Sequence, residues 1–288
     1  MQNQDQKIIR LNPLNYKASV RQFLNYFDIK ERAPGMPLLV DVLTHYAKLP
    51  YENISKIVKL HKNYIAVDRI RLPDEVIEDH LAYHLGGTCF SLTFTLQTIL
   101  TQLNFVCYPF IAHMNNRPNS HCALVVLLND KKYLVDPGYL LNRPMQLDKD
   151  SVKLYRTEHT GIELLFKQDE ETYHLYTFDQ NNVKWRYQFQ DKPLTLNEFL
   201  HFWSDSFYWA GMRAICLTQV KPDGMVYVNK NFVQVQNLHG KKKGHVEDIH
   251  RLVNEIFHIA PEWVEHAQSA IPDIIRLGQE QGHYRKKT

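Results

Sequence analysis

No stretch of this chain stays apolar for long. The longest purely apolar run, Cys122 to Leu128, falls far short of the roughly 20 residues a membrane-spanning helix needs. The opening residues, MQNQDQKIIRLNPLNY, hold no apolar segment of the kind that directs secretion. Cysteine is scarce: four in 288 residues do not make a disulfide scaffold, and no two are spaced CxxC as a zinc site would have them. Neither sign of charge dominates. The 34 Lys and Arg nearly cancel the 31 Asp and Glu, and a net charge of +3 is too weak to imply a nucleic-acid partner. Internal repeats and low-complexity segments are missing as well. What is present, 44% apolar and 23% charged residues, is an ordinary globular composition and excludes a disordered chain. The expectation is a cytoplasmic protein with reduced thiols, no metal and no membrane partner, built as one large domain or about two to three small ones.

Apolar periodicity divides the chain into thirds. Val20, Phe23, Leu24 and Phe27 recur at helical spacing, as do Leu38, Leu39, Val42, Leu43 and Tyr46 after the breakers Pro34, Gly35 and Pro37. A third helix is predicted from Thr88, as N-cap, to about Leu103. The middle third predicts strands over Phe105–Ala112, His121–Leu128, Lys132–Asp136, Tyr173–Phe178 and Val183–Phe189. Asn129-Asp130 is the tight turn between the second and third. The last third is mixed. It predicts helices over Leu196–Phe207, Val246–Phe257 and Pro261–Leu277, the last with Pro272 as a point of interruption. Strands are expected over Arg213–Val220, Met225–Val228 and Phe232–Gln236. Helices, then strands, then a mixture indicate an α+β fold.

One cysteine has an informative setting. Cys89 follows Gly86-Gly87-Thr88 and opens a helix, where backbone N–H groups and the positive dipole end favour a thiolate. The glycines let a substrate or another strand approach the backbone closely. A small buried hydrophobe opening a helix is the plainer reading of a lone cysteine. Two partners turn the balance. His121 opens one strand of the predicted hairpin and Asp136 ends the other, so both lie at the same end of it. A carboxylate there can orient an imidazole, and the imidazole can take a thiol proton.

These residues resemble the arylamine N-acetyltransferase family. Gly86-Gly87-Thr88-Cys89-Phe90, the later His121, and Asp136-Pro137-Gly138-Tyr139 match its Arg-Gly-Gly-x-Cys, His and Asp-Val-Gly-Phe segments. Leu49-Pro50-Tyr51-Glu52-Asn53-Ile54 looks like its Ile-Pro-Phe-Glu-Asn-Leu. Pro222-Asp223-Gly224 and Val228–Phe232 fit its third-domain hairpin. The resemblance implies a helical bundle (1–103), a β-barrel (104–205) and an α/β lid (206–288). It implies a Cys89-His121-Asp136 triad, acetyl-CoA as acyl donor, an arylamine or hydrazine as the small-molecule acceptor, and ping-pong transfer through acetyl-Cys89. Gly138 and Tyr139 occupy the stretch that lies beside coenzyme A in bacterial members.

Four positions depart from the family pattern. Its Arg before the diglycine is Leu85, the Glu after the cysteine is Ser91, the Asn beyond is Thr93, and the glycine after the aromatic is Leu140. Loss of an Arg and a Glu that normally pair avoids a lone buried charge and points to a remodelled pocket. The triad order alone also fits a cysteine hydrolase, an amide synthase or a transglutaminase-like enzyme. A non-catalytic module of the same fold predicts decay of the triad, which is intact. Cys122 reads as a packed core cysteine. Trp203, Phe207, Tyr208 and Trp209 read as core, with an aryl pocket as the alternative. Lys241-Lys242-Lys243 reads as a solvated loop, Arg285-Lys286-Lys287 as a tail, and Glu52 as a capping or packing carboxylate.

Overall fold

In a computed structural model the chain adopts an α+β fold, and the structure describes residues 11–63, 66–114, 117–157, 159–237, 239–280 and 282. The N-terminal 1–10 and the Arg285-Lys286-Lys287 tail lie outside these. Helices α1 (Lys17–Tyr26) and α2 (Met36–Tyr46) form where the periodicity predicts, and Pro37 sits in the first turn of α2, where a missing N–H is harmless. Strand β1 (Tyr51–Glu52) and helices α3 (Ile54–Lys62) and α4 (Pro73–Tyr83) follow. Those two helices escaped the periodicity because α3 buries Ser55 and Lys56 beside Ile54 and Ile57, which blurs its apolar face. Helix α4 carried local signals all the same: Pro73 at its start, with Asp74 and Glu75 in its first turn.

Helix α5 (Cys89–Gln102) is buried along almost its whole length and packs between the helical region and the barrel. Its Leu, Ile and Phe side chains are interleaved with buried Ser91, Thr93, Thr95 and Thr98, so almost no face is left for solvent. Thr88 holds the N-cap position, but its side chain makes no capping bond; Ser91 Oγ donates instead to the Thr88 carbonyl at 3.1 Å.

Eight antiparallel strands then form one sheet: β2 (Val106–Met114), β3 (Arg117–Leu128), β4 (Lys131–Val135), β5 (Met145–Gln146), β6 (Lys153–Arg156), β7 (Gly161–Lys167), β8 (Thr172–Phe178) and β9 (Val183–Phe189). Their order is 5-4-3-2-9-8-7-6, and the edge strands β5 and β6 meet, so the sheet nearly closes into a barrel. Asn129 and Asp130 both take positive φ (50° and 58°), the turn geometry that matches strand twist. The β3–β4 register pairs Leu124 with Val135 and Leu128 with Lys131, which brings His121 and Asp136 to the same end.

A second antiparallel sheet joins β10 (Cys216–Lys221), β11 (Gly224–Asn229), β12 (Phe232–Asn237) and β13 (Gly240–His245), with β1 on its far edge. Helix α6 (Leu196–Asp205) precedes it behind a Thr195–Glu198 capping box. Helices α7 (Ile249–Phe257) and α8 (Pro261–Glu280) follow it. Two expectations change here. Lys241-Lys242-Lys243 is an edge strand, not a loop: its main chain pairs with β12 while every residue of β13 stays exposed. Helix α8 runs through Pro272 without a break. One lost N–H is outweighed by the continuous buried face of Val264, Ala267, Ala270 and Ile274.

Candidate active site

The diglycine is a structural device before it is a chemical one. Glu52 N–H donates to the Gly87 carbonyl at 2.9 Å, and Gly87 N–H to the Pro50 carbonyl at 3.3 Å, so the turn before α5 is laced to β1. A Cβ on Gly86 would lie 1.8 Å from the Pro50 carbonyl oxygen, which only glycine avoids. The close approach expected of the glycines is thus made by a strand. Glu52, fully buried, accepts from Ser55 N–H (2.9 Å) and Ser55 Oγ (2.5 Å), and from Gly86 N–H (3.2 Å), which is the capping role read for it.

A guanidinium from outside the motif serves the diglycine turn. Arg71, 3% exposed, donates through Nη1 to Ser55 Oγ and to the Gly86 carbonyl, both at 2.6 Å, and through Nη2 to Asp79 at 2.7 Å. It also lies 3.6 Å from Glu52. Leu85 meanwhile packs into the apolar core beneath the second sheet. Arg71 was not legible as part of the site, because nothing near it in sequence repeats the family motif.

The three candidate catalytic side chains come together in the interior. His121 Nε2 lies 2.8 Å from Asp136 Oδ2, and the imidazole also hydrogen-bonds Cys89. Asp136, fully buried, is held from two further sides: Tyr187 Oη donates to Oδ2 at 2.6 Å and Tyr139 N–H to Oδ1 at 3.0 Å. Tyr187, on β9 and far along the chain, had no signal tying it to the site. The rings of Tyr139 and Tyr187 pack on His121 at 5.3 and 4.9 Å between centroids. Gly138 is confined by this cluster, since a Cβ there would meet His121 Cε1 at 2.7 Å and Cys89 Cβ at 3.2 Å. Leu140, at the family's glycine position, keeps a left-handed backbone (φ 54°) although its buried side chain disfavours it.

The electrostatics favour an ion pair. Cys89 is held well below the ordinary thiol range, first by a hydrogen bond from the Cys122 thiol and then by the His121 hydrogen bond and charge, against the opposing effect of burial. Burial pushes His121 down, but Asp136 and the Cys89 thiolate outweigh it and lift the imidazole to about 10. Between those limits the resting form is thiolate and imidazolium. Cys122 is buried, as read; burial keeps its own thiol protonated, and that thiol donates to Thr93 Oγ1 at 3.5 Å. Thr93 supports it, with Oγ1 donating to the Cys122 carbonyl at 3.2 Å. Replacing Cys122 by Ala is expected to slow alkylation of Cys89 at pH 6 about fivefold, the worth of one hydrogen bond of about 1 kcal/mol. Iodoacetamide kinetics against pH check this, and an unchanged profile would count against the Cys122 contact.

Cys89 lies in the wall between two cavities. One of about 660 Å³ runs toward the second sheet and α8, and one of about 300 Å³ runs into the barrel mouth past His121, Gly138 and Tyr139. Trp203 and Phe207 are core, as read, whereas Trp209 lines the larger cavity. Among the described residues no group of three or more His, Cys, Asp or Glu is arranged to hold a metal ion. No described helix is long and apolar enough to cross a membrane.

A protein-family model described as N-acetyltransferase matches residues 37–263. None of the curated proteins matches the chain. Among solved structures it is similar to an arylamine N-acetyltransferase from Salmonella typhimurium: 15% identity, 88% of this chain and 99% of that one, TM-score 0.70. It is also similar to an arylamine N-acetyltransferase from M. tuberculosis (17% identity, 87% and 98%, TM-score 0.73). A third, from Bacillus cereus and described as having a Cys-His-Glu catalytic triad, shares 18% identity over 84% and 98%, with TM-score 0.66. The carboxylate beside His121 in this chain is an aspartate, Asp136.

Proposed function

The chain belongs to the arylamine N-acetyltransferase family and is an acyltransferase, and from that premise we propose that it moves acetyl from acetyl-CoA to an arylamine, hydrazine or similar amine through acetyl-Cys89. The observation that carries this reading is the buried Cys89-His121-Asp136 chain with its 2.8 Å imidazole–carboxylate bond. Cys89 Sγ⁻ attacks the thioester carbonyl and a new C–S bond forms. The C–S bond to coenzyme A breaks, and the departing thiolate takes the proton of the His121 imidazolium. The amine nitrogen then attacks acetyl-Cys89 and gives its proton to the now neutral imidazole. Cys89 leaves as thiolate, and the ion pair is restored. Asp136 holds the ring orientation in both halves, and Tyr187 and Tyr139 hold Asp136. Gly138 and Tyr139, beside Cys89 and His121 in the smaller cavity, are the residues we assign to contact the acyl donor. Four free cysteines fit a reducing cytoplasm.

Intact-protein mass spectrometry after mixing with acetyl-CoA tests the reading. An acetyl adduct on Cys89, missing in Cys89→Ala and discharged by an arylamine or hydrazine, is expected. A protein that forms no adduct while Cys89 still alkylates at low pH would have a different acyl donor.

A further inference from the structure

The mechanism leaves one buried charge unused. Lys56, on α3, is 6% exposed, and it lines the larger cavity together with Cys89. Its Nζ donates to the Ser206 carbonyl at 3.0 Å and to Ser206 Oγ at 2.6 Å. It also lies 4.6 Å from the centre of the Phe207 ring and 5.8 Å from that of Trp209. An ammonium has three N–H bonds to give, and these contacts take two. No carboxylate is among the groups that act on Lys56, and among the described residues no Asp or Glu lines that cavity. Its other cations, Arg213 and Lys230, are exposed.

A buried ammonium without a counter-ion is costly, and removing the last nearby negative charge raises that cost. That is what acylation does. In the resting protein the Cys89 thiolate faces the same cavity and helps keep Lys56 charged, while burial pulls it down to about 8. Once Cys89 carries an acyl group the thiolate is gone, and His121 has given up its proton. Lys56 is then the buried cation of the cavity that acyl-Cys89 lines, with no anion left to balance it. A phosphate of coenzyme A is a poor match for it, because the pantetheine arm separates every phosphate from the thioester.

We propose that Lys56 is a specificity-determining residue that seats a carboxylate in the cavity Cys89 lines, so that the acyl chain or the amine acceptor is an anionic one. This rests on the transferase reading for its substrates but not for its first test. Alkylation of Cys89 by iodoacetate and by iodoacetamide compares an anionic and a neutral reagent of equal size, and their rate ratio cancels the thiolate fraction. Lys56→Met is expected to lower the iodoacetate/iodoacetamide ratio about tenfold, with Lys56→Arg in between. An equal ratio in wild type and Lys56→Met overturns the proposal. Where Lys56→Met does not fold, protection of wild-type Cys89 by benzoate but not by benzamide supports it, and equal protection overturns it. A ratio that falls as expected in a protein that takes no acyl group from either acetyl-CoA or succinyl-CoA would keep the anion site and sink the transferase reading. Succinyl-CoA against acetyl-CoA in the adduct assay, and 4-aminobenzoate against aniline in the second half-reaction, then show which partner brings the carboxylate. A lack of preference in both arms overturns the substrate assignment.

Discussion

Replacing Asp136 by Asn is expected to lower kcat for acyl transfer by about 10⁴-fold while the protein stays folded. The side chain keeps its shape, and its remaining carbonyl can still accept from Tyr187 or Tyr139 N–H, so packing changes little. What disappears is the charge 2.8 Å from His121 that does most to lift the imidazole to about 10. The sign is set on both limbs. Without the carboxylate the imidazolium loses its proton at lower pH, so the ion-pair window closes from above. With less positive charge beside it, the Cys89 thiol rises toward its ordinary range, so the window closes from below as well. Steady-state acetylation and iodoacetamide alkylation at pH 6 should therefore fall together in Asp136→Asn, with the melting temperature within a few degrees of wild type. Full activity in that variant would remove Asp136 from the mechanism.

The second large effect is on stability. Arg71→Met is expected to cost about 3–5 kcal/mol, because it leaves the buried Glu52 charge without a cation and the Gly86 carbonyl without the Arg71 donor. For a chain this size that corresponds to a fall in Tm of roughly 10 °C. The same network holds the diglycine turn ahead of Cys89, so activity measured below the new Tm should drop too. Calorimetry decides the point: a variant melting within about 2 °C of wild type would show that Glu52 is satisfied without Arg71.

Much of this was written locally. The hydrophobic periods of Val20–Phe27 and Leu38–Tyr46 and the alternation over Val183–Phe189 were sufficient for helix and strand, because each element buries one face against its neighbours. The Asn129-Asp130 turn sets the β3–β4 register, and the register alone brings His121 and Asp136 to one end. The diglycine before Cys89 announced a close backbone approach, and β1 makes it. The meeting of Cys89, His121 and Asp136, the candidate nucleophile and its candidate partners, was therefore legible from spacing and turn chemistry. What surrounds them was not. Tyr187 reaches Asp136 across 51 residues and Lys56 reaches Ser206 across 150. Arg71 reaches the Gly86 carbonyl across 15 residues. Cys122 looked like core and is core, yet it also touches the reactive sulfur. Local propensity acts over one turn or one hairpin, whereas burial of a charge and the partner that satisfies it depend on which distant segments the closed barrel and the second sheet bring together.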